Sequence, residues 1–589
     1  MRGAVIAITL AAVGAAAPAH ACQLIKAAEL PVTMEGPYPF VPVKINGLET
    51  KLLVDSGAFF NTVDAESAKR AGLKGPYPGV SLMATGIGGD ARLTIGRADT
   101  VMLADIPLKK VDFLIHQRPL TAFSAGLLGQ NVLGALDVEY DLAHGVIRIF
   151  KPKGCGSRAN LAYWSRPEDN LSVLPTRPTN VAEPHTRFSA KVNGVSVTAM
   201  LDSGAWSSLL SASAAARTGM RPDSPGARSE GLSGGIGRHM VEAWSAPFAS
   251  ISIGGEEVRN TRLRIAKHDA SSFDLLLGAD FLLSHRILVA NSQNQIYFTY
   301  NGGPVFRFPD KPAEIAAATP SLPPEAGEAA KPDVDAATLG RQAAAHAARR
   351  DYASAIRNYS QALAAKPDDV ELLRGRAQAY LATKQADRAA VDLDQALKLA
   401  PNHVLARLVR GGLRLKKKDV AGAQADFDAA LQAAPHERYL PLSIANQYSD
   451  AGQIERAIGL YDSWIAAHPK DQRIAEAFNA RCWTRIIWNR DLNLAIADCD
   501  AALRRARPNS ATLNSRGMLR YRLGQFDAAI ADFDASLRLQ PNDAWSLYGR
   551  GLAKARKGPA GAGDADLKTA AALKPDLPEE AARYGLVPA

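Results

Sequence analysis

Two patterns of hydrophobic and polar positions divide the chain. Up to about residue 301, short apolar stretches such as residues 146–150 and 296–298 alternate with turns that contain Gly, Asn and Pro. This alternation is typical of short β-strands. Residues 302–334 are rich in Pro, Ala and Glu and show little apolar periodicity, which indicates a linker. A second regular pattern then begins, with a period of 34 residues. The chain is therefore predicted to hold a β-rich region, a linker and a repetitive region.

The β-rich region contains one set of landmarks twice. In each copy an Asn-Gly turn and an apolar strand lead into Asp-Ser-Gly-Ala, at residues 55–58 and 202–205. A Gly-rich segment follows, and then an apolar run that ends in Gly129 or Gly278, which lie 74 and 76 residues after the Asp. Four landmarks in the same order indicate one fold used twice. The glycines of the two Gly-rich segments include Gly86, Gly88, Gly89, Gly231, Gly234 and Gly235.

The duplicated Asp residues are the candidates for chemistry. A single Asp-Ser-Gly is more often a turn than a catalyst, but pseudo-twofold packing of two lobes would bring Asp55 and Asp202 together. Two neighbouring carboxylates do not both ionise readily, so they share a proton. The ionised group then takes a proton from water, while the protonated group polarises a carbonyl. This pairing predicts amide hydrolysis without a covalent intermediate.

The two motifs resemble the active-site motifs of the retropepsin-like aspartic proteases. The resemblance covers roughly residues 38–301 and implies an all-β two-lobed fold, although many family members are dimers of single lobes. It also implies that Asp55 and Asp202 are the catalytic pair and that the glycine segments are flaps. The residues that it implies for the supporting loops are Ser56, Gly57, Ala58, Ser203, Gly204 and Ala205, with Gly129 and Gly278 beneath them.

The period of 34 residues is carried by small residues and prolines. Ala355, Ala389, Ala423 and Ala457 are 34 apart, a large side chain follows each by four residues, and Pro367 begins an equally spaced series. This pattern resembles the tetratricopeptide repeat, a helix–turn–helix unit that stacks into an all-α solenoid with a concave surface. The resemblance implies about seven repeats, the last degenerate, and a protein partner bound by the repeat domain.

These observations give a predicted order of domains. The assignment is a signal peptide at 1–21, a first lobe at 22–152, a connection at 153–186, a second lobe at 187–301, a linker at 302–335, repeats at 336–575 and a tail at 576–589.

The N-terminus predicts export. Met1-Arg2 is positive, residues 4–17 are apolar, and Ala19-His20-Ala21 supplies the small residues of a cleavage site. The protein is therefore expected to be periplasmic or secreted in a bacterium, without an integral membrane segment after the leader is removed. The net charge of +10 is spread thinly, which argues against nucleic acid as a partner.

The four cysteines are compatible with disulfide bonds in an exported protein. Cys482 and Cys499 occupy the two helices of one predicted repeat and form the first candidate pair, and Cys22 with Cys155 forms a weaker one. Buried free thiols remain the alternative. Cys22 would be the first mature residue, so a lipid-anchored Cys22 is also considered.

Two other motifs are rejected. Gly231-x-Ser233-x-Gly235 formally matches a serine-hydrolase elbow, but the residues after it predict a strand where the elbow needs a helix. Gly86-x-Gly88-x-x-Ala91 is a weak dinucleotide fingerprint with no helix behind it. No cysteine or histidine spacing is typical of a metal site. We therefore expect neither a metal nor a cofactor.

The sequence thus supports an exported aspartic endopeptidase that acts on proteins or peptides. The alternative hypothesis is an inactive protease fold that binds peptides, with the repeats as a scaffold. Because Ala58 and Ala205 lack the hydroxyl of acid proteases, we expect maximal activity at mildly acidic to near-neutral pH. Because the sequence joins the repeats to the lobes only through the linker, we expect them to be dispensable for cleavage of short peptides.

Overall fold

The computed structural model describes residues 22–75, 81–86, 89–116, 124–177, 184–222, 224–233, 241–267, 272–306, 335–471, 473–505 and 508–588. Strands occupy the N-terminal half of this part of the chain, and helices occupy the C-terminal half. The predicted fold class, an all-β two-lobed region followed by an all-α solenoid, is confirmed. The predicted leader 1–21 and most of the linker lie outside the described residues.

The first lobe begins at Gln23. Its strands are β1 (Gln23–Pro31), β2 (Thr33–Glu35), β3 (Tyr38–Ile45), β4 (Leu48–Val54), β5 (Thr62–Asp64), β6 (Ser81–Gly86), β7 (Gly89–Leu103), β8 (Ile106–His116), β9 (Gly126–Leu128), β10 (Asp137–Asp141) and β11 (Val146–Lys153). Short helices span Ala65–Arg70 and Gln130–Leu133, and a 3₁₀ turn spans Leu142–His144.

The second lobe repeats this order of elements. Its strands are β13 (Arg187–Val192), β14 (Val195–Leu201), β15 (Leu209–Ser211), β16 (Arg228–Ser233), β17 (Val241–Ile253), β18 (Glu256–Ala266), β19 (Leu275–Leu277), β20 (His285–Ala290) and β21 (Gln295–Tyr300). Short helices span Ala212–Arg217 and Ala279–Leu282.

Each lobe contains a closed barrel of six strands. In the first, β3-β4-β9-β5-β8-β7 closes through pairing of β3 with β7; in the second, β13-β14-β19-β15-β18-β17 closes through β13 with β17. The Asn-Gly turns make the first hairpin of each barrel, and both of their residues have positive φ, at 47° and 86° in the first lobe and 47° and 79° in the second. This conformation is the type I′ turn that suits the twist of paired strands.

A six-stranded sheet, which includes the further strand β12 (Ser172–Pro175), joins the two lobes in the order β1-β11-β10-β20-β21-β12. The central pair, β10 with β20, is antiparallel and brings one strand from each lobe into contact. The outer strand β12 (Ser172–Pro175) belongs to the segment predicted as a connection, and it pairs with β21 as β1 pairs with β11. The connection therefore completes the symmetry of this sheet.

Pairs of helices form the C-terminal part. The helices are Ala336–Ala348, Tyr352–Ala365, Val370–Ala382, Ala386–Leu399, Val404–Lys416, Val420–Ala433, Leu440–Asp450, Ile454–Ala467, Ile474–Trp488, Leu492–Arg505, Ser510–Arg522, Phe526–Leu539, Ala544–Lys557, Asp564–Leu573 and Leu577–Arg583. The periodic small residues are fully buried between the helices of each pair, as Ala355 and Ala389 illustrate. Beyond the last full pair, Leu577, Ala581 and Leu586 are also buried against the array.

An arginine ties the two helices of most repeats together, a feature that the sequence interpretation did not include. In each case its guanidinium donates two bonds to one buried Asp of the following helix, and such bidentate pairs are strong and directional. The pairs are Arg376 with Asp392, Arg410 with Asp426, Arg481 with Asp498, Arg516 with Asp532 and Arg550 with Asp566.

The first repeat helix packs directly on the lobes. Ala344, Ala345 and Ala348 of Ala336–Ala348 belong to the same buried cluster as the barrel residues. Arg341 Nε donates to Gly145 O at 3.0 Å, and Arg349 Nη1 donates to Gly302 O at 3.2 Å. The expectation that only the linker joins the repeats to the lobes is therefore wrong. Alanines that are too small to signal a buried face in the sequence pattern allow this close approach.

The cysteines form two pairs. Cys482 is bonded to Cys499 between the two helices of one repeat, and Cys22 is bonded to Cys155 beside β1 and β11. The sulfur of Cys22 is therefore not available for a thioether-linked lipid in this state. In the described part of the chain, no helix combines the length and the apolar character that crossing a bilayer requires.

Candidate active site

The two Asp-Ser-Gly-Ala loops meet at the interface of the lobes. Asp55 follows β4 and Asp202 follows β14, and each loop begins with a backbone bond, from Asp55 N to Leu128 O at 3.0 Å and from Asp202 N to Leu277 O at 2.9 Å. These bonds extend the parallel pairing of β4 with β9 and of β14 with β19. Both carboxyl groups therefore emerge at the same ends of equivalent strands.

Each carboxyl group lies over the glycine of the opposite loop. A Cβ added to Gly57 would be 2.4 Å from Asp202 Cγ, and one added to Gly204 would be 2.4 Å from Asp55 Cγ. Gly57 N donates to Asp55 Oδ1 at 3.0 Å, and Gly204 N donates to Asp202 Oδ1 at 2.9 Å. Glycine is thus required at both positions because there is no room for a side chain between each loop and the carboxyl group of the opposite Asp.

Hydrogen bonds of two serines join the two Asp-Ser-Gly-Ala loops. Ser56 N donates to Ser203 Oγ at 3.0 Å, and Ser203 N donates to Ser56 Oγ at 2.9 Å. The hydroxyls in turn donate across the interface, Ser56 Oγ to Leu201 O at 3.1 Å and Ser203 Oγ to Val54 O at 2.8 Å. Both serines are buried, so these four reciprocal bonds are shielded from water and fix the distance between the loops.

The environment favours a shared proton. Burial raises the pKa of Asp55 well above its usual value, and the charge of Asp202 and the hydrogen bond between the two carboxyl groups raise it further. Burial also raises the pKa of Asp202, although a hydrogen bond from Asp55 and the N–H groups of its own loop oppose this effect. The pair as a whole therefore retains one proton to higher pH than an isolated Asp would.

Family comparisons agree with this geometry. Residues 41–132 match the model of an aspartyl protease family, and residues 188–284 match the gag-polyprotein aspartyl protease family. Residues 346–411, 387–438 and 517–558 match three tetratricopeptide repeat families. The chain joins an aspartyl protease fold to tetratricopeptide repeats. Comparison with curated proteins gave no significant match.

The solved structures similar to this chain include a tetratricopeptide repeat protein and a pilus biogenesis factor. A tetratricopeptide repeat protein from Parabacteroides merdae ATCC 43184 has 20% identity and a TM-score of 0.32, and the alignment covers 38% of this chain and 86% of that one. PilW, a widely conserved type IV pilus biogenesis factor, has 21% identity and a TM-score of 0.30, with 34% of this chain and 92% of that one covered.

The glycines beneath the protease loops have a packing role. A Cβ added to Gly129 would lie 2.6 Å from the backbone of Phe60, and one added to Gly278 would lie 2.5 Å from the backbone of Ser207. Only glycine therefore allows the Leu-Leu-Gly segments to pass directly under the loops. Ala58 is buried, whereas Ala205 is partly exposed.

The predicted flap glycines are placed only in part. Gly86 and Gly89 pair with each other at the tip of the β6–β7 hairpin, and Gly231 lies in β16. Gly88, Gly234 and Gly235 lie outside the described residues. Within the described residues, no group of three or more His, Cys, Asp or Glu side chains is arranged to hold a metal ion.

Three supporting residues were missed by the sequence interpretation. Gln130 Nε2 donates to Ser56 O at 2.6 Å, directly under the first loop. Tyr140 of β10 is buried, and burial raises the pKa of its hydroxyl. A hydrogen bond with Ser56 opposes this rise, and the charges of both Asp residues add to it. Asp280 accepts from Ser208 N at 2.7 Å, and burial raises its pKa to about 6. The positions just after Gly129 and Gly278 were the available signal for Gln130 and Asp280.

Proposed function

We propose that this protein is an exported aspartic endopeptidase. The observation that carries the proposal is the placement of Asp55 and Asp202 over each other's loop glycine, with Ser56 and Ser203 bonded reciprocally. A binding protein built on this fold has no need for two partly accessible acids that share a proton. The two protease-family matches support the same reaction class.

In the proposed mechanism, the ionised carboxylate of the pair acts as general base. It takes a proton from a water molecule as the water oxygen attacks the peptide carbonyl carbon. The protonated carboxyl donates to the carbonyl oxygen, which becomes a hydroxyl of the tetrahedral intermediate. When the C–N bond breaks, the carboxyl that took its proton from water gives that proton to the leaving amine. A hydroxyl of the intermediate returns its proton to the other carboxylate as the carbonyl re-forms, so the pair is again singly protonated.

Export is part of the proposal. Two disulfide bonds, Cys22–Cys155 and Cys482–Cys499, are compatible with an oxidising compartment such as the periplasm. The predicted cleavage site after Ala21 would make Cys22 the first residue of the mature protein. N-terminal sequencing of protein recovered from the periplasm or medium tests this assignment, since an intact Met1 would contradict it.

The repeat domain is proposed to bind a protein substrate or partner. Stacked helical repeats present a concave surface, and such surfaces bind extended segments of other proteins. The first repeat helix contacts the lobes, so a bound protein would be held at a defined distance from the catalytic pair.

The test of the proposed function is cleavage of a peptide library by the wild type beside Asp55→Asn. Asn keeps the size of the side chain but cannot share the proton, so the variant should lose cleavage. Circular dichroism and thermal unfolding of both proteins check that the variant is folded. Equal cleavage by both proteins would indicate a contaminant. Absence of cleavage in both, together with peptide binding, would favour the inactive peptide-binding alternative.

A further inference from the structure

Strand pairing identifies equivalent positions on the two sides of the cleft. Thr62, seven residues after Asp55, pairs with Leu114 of β8. Leu209, seven residues after Asp202, pairs in the same parallel register with Arg264 of β18. Leu114 and Arg264 therefore occupy the same place in their lobes, one apolar and one charged.

The surroundings of Leu114 are apolar. Leu93 and Leu114 are almost fully buried, and Phe60 and Ile95 pack against them. Phe60 is the fifth residue after Asp55, and Ile95 pairs with Leu114 across β7 and β8. These four side chains, all hydrocarbon or aromatic, form one apolar cluster beside the first catalytic loop. We call these four residues the apolar wall.

The surroundings of Arg264 are polar. Its Nη1 donates to Ser207 Oγ at 3.1 Å, its Nε donates to Glu230 at 2.7 Å, and its guanidinium lies 4.3 Å from the ring centroid of Trp206. Ser207 occupies the place of Phe60, five residues after the catalytic Asp. Ser245, which pairs with Arg264, occupies the place of Ile95. We call Arg264, Trp206, Ser207 and Glu230 the polar wall.

The contacts of Arg264 place it beside the second catalytic loop. Its neighbours Leu263 and Ile265 are buried in the barrel core, so Arg264 points to the opposite face of the strand. That face touches the catalytic loop at Trp206 and Ser207 and touches strand β16 at Glu230.

Tyr38 of the first lobe lies close enough to Arg264 to feel its charge. Burial raises the pKa of Tyr38 in the first lobe, and the nearby charge of Arg264 partly offsets this rise. Arg264 is thus bounded by its own loop, its own β16 and the opposite lobe. The side chain of Arg264 is 15% exposed and Trp206 is 38% exposed, so both remain accessible to a ligand.

We propose that Arg264 and Trp206 determine specificity by selecting a substrate side chain with a carboxylate or amide on the Asp202 side of the scissile bond, while the apolar wall selects an apolar side chain on the Asp55 side. This inference rests on the proposed function. A guanidinium offers five donors in a planar fork, so it can bind a substrate oxygen while it holds Glu230. An apolar side chain there would cover these polar groups without bonding to them, and such sites reject apolar analogues.

The experiment uses the full chain and a parent peptide that the library identifies as cleaved. Each position within three residues of the scissile bond is replaced in turn by Glu, Gln, Leu or Lys, and kcat/KM is measured. At one position on one side of the scissile bond, kcat/KM for the Glu or Gln peptide should exceed that for the Leu peptide by about tenfold. On the other side of the bond, the Leu peptide should be cleaved best. Arg264→Leu introduces the residue type of Leu114, its equivalent in the first lobe. With this variant, Leu should be preferred at the position where the wild type prefers Glu or Gln.

Arg259→Leu is the matched control, because Arg259 lies on the same strand but is 73% exposed and pairs with Glu257. It should leave every preference unchanged. Arg264→Gln serves as a second variant should Arg264→Leu fold poorly, and it should reduce the preference for Glu more than that for Gln. A wild type that prefers Leu on both sides would overturn the inference, and so would a Glu preference that survives both Arg264 variants.

Binding separates this inference from the proposed function. Fluorescence anisotropy measures the affinity of labelled Glu and Leu peptides for the Asp55→Asn protein, which cannot cut them by the proposed mechanism. If no peptide is cleaved but the Glu peptide binds more tightly and loses this advantage with Arg264→Leu, the proposed function fails and the polar wall stands. If peptides are cleaved but neither cleavage nor binding depends on Arg264, only the polar wall fails.

Discussion

The two protease lobes are alike where they touch each other and different where they face the cleft. Asp, Ser and Gly occur in both loops because each contacts the opposite loop across the pseudo-twofold axis: the serines bond to each other, and each Asp lies over the other loop's glycine. Away from that axis, the register position that Leu114 occupies in the first lobe is occupied by Arg264 in the second. Duplication within one chain permits this, because each lobe can change without changing the other. A dimer of identical lobes has no such freedom.

The support beneath the loops differs as well. Gln130 holds the first loop through Ser56 O, whereas Ala279 stands at the equivalent position of the second lobe. Asn131 accepts from Asn61 N at 2.7 Å, and Asp280 accepts from Ser208 N at the same distance. Both lobes therefore contain this bond from a backbone N–H, but its acceptor is a neutral amide in the first lobe and a carboxyl group in the second. Asp55 and Asp202 therefore have different surroundings, although the sequences of their own loops match.

The largest expected effect tests whether both lobes of one chain form the site. Asp55→Asn and Asp202→Asn should each reduce cleavage about a thousandfold or more, because either change removes the shared proton. A mixture of the two variants should remain inactive, since the serine bonds join lobes of the same chain. Recovery of activity on mixing, measured with the parent peptide, would show that lobes pair between chains.

The next effect tests the symmetry of the loops. Gly57→Ala and Gly204→Ala each place a methyl group 2.4 Å from the opposite Asp Cγ, so the carboxyl groups must move apart. We expect losses of about a hundredfold in kcat/KM, and similar losses in both lobes. Gly156→Ala is the control, since a Cβ there meets nothing within 4 Å. Near-normal activity of either loop variant would mean that the acids are not in contact.

A third prediction asks whether two lobes are sufficient for a stable protein. A chain that ends at Asn301 loses the helix Ala336–Ala348, whose alanines are buried against the lobes. A chain that ends at Lys366 keeps that helix and the next. We expect the shorter form to unfold at a temperature lower by roughly 5 °C or more, and to lose peptide cleavage in parallel. Equal stability of the two forms would restore the view that the lobes are independent.

The pH profile tests the environment of the pair. Because the pKa of the pair is raised, activity should persist to near-neutral pH and then fall as the shared proton is lost. Replacing Ala58 and Ala205 together by Ser adds hydroxyl donors to the charged form, which lowers that pKa. The alkaline limb should therefore move toward acid by about half a unit to one unit. A shift toward alkali in kcat/KM profiles would show that the added hydroxyls do not reach the carboxylates.

The smallest effect concerns Asp280. Its pKa is about 6 in the folded protein against an ordinary value of 3.8, so the folded state binds the proton more tightly than the unfolded state does. Stability should therefore decrease as pH rises from about 4 to about 6. Asp280→Asn introduces the residue type found at the equivalent position, Asn131, in the first lobe. This variant should lose the decrease of stability between about pH 4 and about pH 6. We expect a gain of about 1–2 kcal/mol at pH 7.5 and little change at pH 4 in urea unfolding. Parallel pH dependences would contradict the assignment.

Much of the candidate site was predictable because its signals are local. The Asn-Gly turns, the Asp-Ser-Gly-Ala loops and the Leu-Leu-Gly segments each state a backbone requirement within a few residues. Their repetition predicted the lobes, and the period of 34 predicted the helical repeats. The roles of Gln130, Tyr140 and Asp280 were not predictable: the position of Gln130 and Asp280 after the Leu-Leu-Gly segments marks them as close to the loops, but nothing nearby in the sequence shows which groups these three residues contact.

The sequence by itself therefore determined the repeating units, the positions of the two acids and the turns that expose them. Only the tertiary structure decided that Arg264 takes the register position of Leu114, that β12 completes the joint sheet, and that Ala344 and Ala345 are buried on the lobes. The physical reason is range. Turn geometry and helix periodicity depend on a few adjacent residues, whereas strand register and helix docking depend on burial between segments that are far apart in the chain.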